Sequence, residues 1–115
     1  MADKKNLLTG RQVIWTKTAA RQRRNILQYW VKRNKSNTYS LKLLRLSNEK
    51  TKLIAKNPRL FRLSEHPDTH VAAMGHFSIY YKITEKEIII TAFWDNRQDP
   101  KKLLKQLKDQ HKPNS

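Results

Sequence analysis

Apolar side chains recur at every second position of Phe77–Ile83. Phe77, Ile79, Tyr81 and Ile83 alternate with Ser78, Tyr80 and Lys82, the pattern of a strand with one buried face. Ile88–Trp94 is an almost unbroken apolar, β-branched run, which predicts a strand covered on both faces. Between them Thr84–Glu87 is too polar for a core and short enough to close a hairpin. So apolar a hairpin does not stand alone in water, and the residues before it must cover it.

Upstream the apolar period lengthens to that of helices. Over Thr18–Arg33, with Thr16 or Thr18 as cap, Ile26, Leu27, Trp30 and Val31 form a stripe opposite Lys17, Arg21, Arg24 and Gln28. A second helix is predicted over Thr38–Lys56, ending where Asn57-Pro58 disfavours helical geometry. Its Tyr39, Leu43, Leu46, Leu53 and Ile54 point to the core, while Lys42, Arg45, Glu49, Lys52 and Lys56 make an almost wholly basic outer stripe.

Arg11–Trp15 reads as a first strand, and Arg59–Leu63 as a second strand or the approach to one. Ser64–Thr69 is a loop, His70–Met74 a short strand, and Gly75 a bend or bulge. Asp99-Pro100 pairs a capping acid with proline at the first helical position and opens a helix over Pro100–Asp109, with Leu103, Leu104 and Leu107 apolar. The domain spans 11–109, between a basic tail (1–10) and a short polar one (110–115). This order predicts an α+β fold with an N-terminal strand, a two-helix hairpin packed on a small antiparallel sheet, and a short C-terminal helix. The helices are expected on one face of the sheet.

The length of 115 residues fits one domain. No apolar run approaches the roughly eighteen residues needed to cross a bilayer, and the polar start MADKKNLLTG has no export-signal core, so a cytoplasmic protein without membrane contact is expected. The absence of cysteine excludes disulfides and thiolate metal sites. His66 and His70 flank Pro67, which argues against the helix face that a His-x-x-x-His metal pair requires. Neither metal nor cofactor is expected.

Charge changes the picture most. Lys and Arg number 25 against 9 Asp and Glu, a formal net charge of +16. Residues 1–57 hold 15 basic and 2 acidic side chains; residues 58–115 hold 10 and 7. Such a field concentrates on anionic partners. Arg21, Arg24, Lys42, Arg45, Lys52 and Lys56 on the helix stripes, with Arg62 beyond them, are the candidates for contact with nucleic acid or a ribosome.

The order of elements, together with Gly75–Tyr81 (GHFSIYY), Trp94–Pro100 (WDNRQDP) and Trp15–Ala20 (WTKTAA), resembles the RelE/ParE superfamily of bacterial type II toxins over about Arg11–Leu104. The first segment is similar to the family's glycine–x–aromatic–x–x–x–tyrosine strand, and the second to its segment closing the last strand. The resemblance implies a growth-inhibiting toxin neutralised by a cognate antitoxin, commonly acidic in its toxin-binding segment, that lies over the sheet and reaches Arg97. RelE-like members cut mRNA in the ribosomal A site. ParE-like members poison DNA gyrase and cut nothing.

Metal-free RNA cleavage needs a base for the 2′-hydroxyl, an acid for the leaving oxygen and cations for the charged phosphorane. The resemblance would place an arginine just before the central glycine, where Ala72, Ala73 and Met74 stand. It places a second at Arg97, which matches, and a tyrosine where Leu103 stands. One of three positions is kept, and Arg97 has an alternative role as a structural partner of Asp95 or Asp99. Arg97, His76 and Tyr80 are the catalytic set that the sequence offers, beside His66, His70 and Glu49 as further titratable groups. Tyr80, Trp94 and Arg97 are the candidates for the antitoxin. At this point ribosome-dependent cleavage, gyrase poisoning and plain nucleic-acid binding all stay open.

Overall fold

The computed structural model describes residues 10–109. Four strands, β1 (Gln12–Trp15), β2 (His70–Met74), β3 (Phe77–Ile83) and β4 (Glu87–Asp95), form one sheet in the order β1-β4-β3-β2. The helices are α1 (Lys17–Asn34), α2 (Thr38–Lys56) and α3 (Pro100–Asp109). The α+β order and the element boundaries agree with the sequence pattern. The sheet is mixed rather than wholly antiparallel. β2, β3 and β4 pair antiparallel, but β1 joins β4 in parallel, from Gln12↔Glu87 to Trp15↔Ile90. Parallel neighbours need a long crossover, and here the two-helix hairpin together with β2 and β3 lies between them in the chain.

Local chemistry fixes the ends. Thr16 caps α1, its hydroxyl accepting the Ala19 N–H at 3.1 Å. Gly75 (φ +62) and His76 form the two-residue loop between Met74 and Phe77, with glycine at the first position as a type II′ hairpin turn prefers. Residues 59–63 are the approach to a strand rather than a strand, because only Leu63 bridges to His70.

β4 is bonded on both sides and carries a bulge. Tyr80 pairs with Ala92 but Tyr81 with Ile90, leaving Thr91 as the extra residue. The bulge changes the parity of the strand. Ile88, Ile90 and Phe93 therefore share one face with Phe77, Ile79 and Tyr81, under Ala19, Leu43 and Ile54 of the helices. Ala92 and Trp94 turn to the other face. Gln22 of α1 reaches the strand past the end of β1, its Oε1 accepting the Phe93 N–H at 2.8 Å while its amide donates to Gln106.

Two expectations need correction. The helices do not all lie on one face: α3 covers the opposite one, where Leu103 and Leu107 close a small second core over Tyr80, Ala92 and Trp94. A few residues between β4 and Pro100 turn the chain back onto the apolar surface that the bulge exposes there. Leu53 and Val31, expected inward, are more than a third exposed. A single hairpin of helices over four strands leaves the rims of both apolar stripes uncovered.

Candidate functional site

The end of β4 holds the most organised polar cluster. Asp95 is the last residue of the strand, opposite Phe77. The following turn is held by backbone hydrogen bonds from Asn96 to the His76 carbonyl (2.9 Å) and from Gln98 to the Asp95 carbonyl (3.0 Å). This folds Arg97 back on Asp95. Its Nε donates to Oδ1 and its Nη2 to Oδ2, each at 2.9 Å, and its backbone N–H also donates to Oδ1. A planar two-pronged pair of this kind is both strong and directional. The fork from Arg97 holds the Asp95 carboxyl below the usual carboxylate range, with the nearby His76 acting in the same direction. The same hydrogen bond raises the Arg97 guanidinium above its ordinary value.

The Arg97 guanidinium lies 5.6 Å from the centre of the Trp30 ring, within the range of a cation–π contact. Trp30 in turn meets Tyr29 and Tyr39 edge-on, both at 5.1 Å. The result is a groove of about 510 Å³ between the C-terminal half of α1 and the 95–98 turn, lined by Asn25, Ile26, Tyr29, Trp30, Arg33, Asp95, Arg97 and Gln98. A neighbouring groove of about 570 Å³ runs between α2 and the β2–β3 turn, with Lys42, Glu49 and His76 on its walls.

The candidates from the sequence do not converge. His76 and Arg97 flank Asp95, although His76 opens on the second groove. Tyr80 lies on the opposite face of the sheet, beneath α3 and edge-on to His66 at 5.6 Å. Burial raises the Tyr80 hydroxyl, against a smaller lowering by Arg62. Trp94 is buried in the same small core, so of Tyr80, Trp94 and Arg97 only the arginine is openly presented. His70 stacks on Tyr81 across the sheet from His66, with Nδ1 3.0 Å from the Phe61 carbonyl oxygen. His66 itself is buried.

Arg21, Arg24, Lys42, Arg45, Lys52, Lys56 and Arg62 are all exposed. Those on α1 and α2 form a broad basic field rather than converging on one pocket, and Arg62 lies in the segment beyond α2. Sequence reasoning missed Tyr29, Asn25, Arg33 and Gln98 as members of one groove. The trace was there in Tyr29, a large aromatic residue outside the apolar stripe of α1.

In this arrangement Arg97 and Asp95 present a closed ion pair. A paired arginine on an aromatic wall can bind and position, but its two best donors are already engaged. Neither His76 nor Tyr80 lines the groove that holds it, and the carboxylate beside it, Asp95, is held in its ionised form.

A family model for the ParE toxin of the type II toxin–antitoxin system parDE matches residues 13–100, most of the domain. The chain belongs to the ParE toxin family. Among solved structures it is similar to a chain of the chromosomal ParDE toxin–antitoxin system from P. aeruginosa, at 24% identity and a TM-score of 0.63. The alignment covers 72% of this chain and 92% of that one, and it shows a shared fold. No curated protein sequence matches. The three segments that carried the resemblance all fall within the matched range. Among the described residues no helix is long and apolar enough to cross a membrane.

Proposed function

We propose that this ParE-family chain is the growth-inhibiting component of a toxin–antitoxin pair, acting in the cytoplasm by binding DNA gyrase rather than by cutting RNA. The observation that carries this reading is the state of Arg97. It is the one arginine matching the position that RNA-cutting relatives use, and both prongs of its fork are taken by Asp95. Of the two proton-transfer candidates, Tyr80 lies across the sheet from it and His76 opens on the neighbouring groove. A phosphodiester brought to Arg97 would meet an arginine whose fork is already closed on a carboxylate, with none of the base candidates offered by the sequence lining the same groove.

An antitoxin with an acidic binding segment suits the charge of +16. On this reading it crosses the sheet and reaches Arg97, and a complex whose buried surface omits residues 70–100 would overturn that part. The basic field on α1 and α2 favours a second reading, ribosomal RNA as the docking site of a ribosome-dependent nuclease.

Induced expression of the chain without an antitoxin separates the two. Expected are growth arrest, inhibited gyrase supercoiling and intact mRNA by primer extension. Breaks at codon positions that vanish when translation is blocked would replace gyrase with the ribosome. Normal growth would overturn the toxin reading altogether.

A further inference from the structure

We propose that the groove between α1 and the 95–98 turn binds single-stranded nucleic acid, stacking one base on Tyr29 and holding the adjoining phosphate on Arg33. Tyr29 is 54% exposed, yet its ring is fixed edge-on against Trp30 at 5.1 Å and 85°. It is thus a rigid aromatic surface turned to solvent. Bases stack on such rings almost irrespective of their identity.

Asn25 and Arg33 stand one turn before and one turn after Tyr29 on the same helix, so they flank the ring. The side-chain amides of Asn25 and, across the groove, Gln98 form no hydrogen bond with the described residues. Each offers one donor group and one acceptor, the complement of a base edge. Arg33 pairs with no carboxylate among the described residues, and Lys32 and Lys35 extend the positive field beside it. The one carboxylate in the groove, Asp95, is neutralised by Arg97 and so does not repel a phosphate. A volume of about 510 Å³ admits a nucleotide.

An acidic peptide would use the cations but not the ring or the amides, so the nucleotide is the better fit. The ring also sits within the groove, where only a base already free of its partner strand can lie flat on it. This site requires neither gyrase nor ribosome, and it stands or falls separately from the target proposed above.

The test is fluorescence anisotropy with the full-length chain, titrating labelled oligo-dT and oligo-U of about ten nucleotides and a duplex across a salt series. Expected is tighter binding of single strands than of the duplex. Tyr29→Ala should weaken single-strand binding about tenfold with the salt slope unchanged, and Tyr29→Phe should restore it. Arg33→Ala should lower the slope by about one. Lys86→Ala, the same charge change in the β3–β4 turn, should leave single-strand affinity within about twofold of the parent. The tighter of the DNA and RNA arms names the polymer. Three results overturn the proposal: an affinity unmoved by Tyr29→Ala in a variant of unchanged circular dichroism, a duplex bound as tightly as a single strand, or full displacement by an acidic decapeptide from both parent and Tyr29→Ala.

Discussion

At the scale of single residues, two polar side chains illustrate opposite uses of a hydrogen bond. Gln22 is almost wholly buried and satisfies the Phe93 N–H, a strand-edge donor that has no neighbouring strand there. Replacing it by alanine leaves that donor buried and unpaired, so Gln22→Ala should cost about 2 kcal/mol, measured by urea unfolding. A midpoint equal to the parent's would mean that another group takes the N–H. Asp95 acts at the surface, and its contribution depends on pH. Its folded-state pKa is depressed, chiefly by the hydrogen bond from Arg97. The stability it adds is therefore present above the ordinary carboxylate value of about 4 and is lost as the pH falls through the lower folded value. Asp95→Asn should unfold at lower urea than the parent at pH 7, and the gap should close in acid below the folded value. A gap of constant size would assign the effect to packing rather than charge. Arg97 was legible in the sequence because it closes a recognisable segment. Its pairing choice was not, since Asp95 and Asp99 stand equally near in the chain. Asp99 instead accepts the Lys101 N–H at the start of α3.

At the scale of elements, periodicity located every strand and helix to within a residue or two, because apolar spacing and caps are local properties. What it did not give was facing. Ile88 and Ile90 differ by two but Phe93 follows at three, and that one broken step is the trace of the bulge at Thr91. In a run where nearly every residue is apolar the step is invisible. The side taken by α3 was hidden for the same reason: Pro100 sets where the helix starts, while the surface that receives it is created by the parity change in β4. The consequence is a helix attached through a core of its own, closed chiefly by Leu103 and Leu107. Leu107→Ala should cost about 2 kcal/mol, toward the low end for a buried leucine because the site lies near the surface and can relax. Hydrogen exchange should show the α3 amides losing protection while those of β3 and β4 keep theirs. Loss of protection throughout would make α3 an integral part of one cooperative unit.

At the scale of the whole molecule, charge is distributed by layer. The helical hairpin carries the basic excess, whereas most acidic side chains lie in or beside the loops of the sheet, with Glu65, Asp68, Glu85 and Asp99 in loops and Glu87 and Asp95 at the two ends of β4. The molecule measures 43 × 31 × 27 Å, and at physiological salt fields are screened over about 8 Å. The acidic turns therefore do not cancel the helical field, and an approaching partner meets a positive layer rather than an average. For the acidic antitoxin proposed above this predicts an asymmetry in kinetics. Long-range attraction accelerates encounter, while the docked contacts set the lifetime. Raising salt from about 0.05 to 0.5 M should slow association at least tenfold and change dissociation less than about threefold, read by stopped-flow fluorescence. Exchanging Lys42, Arg45, Lys52 and Lys56 together for glutamine should flatten the salt dependence of association without shortening the lifetime of the complex. If the lifetime collapses instead, the basic stripe of α2 is part of the bound interface, and the antitoxin lies over the helices rather than over the sheet.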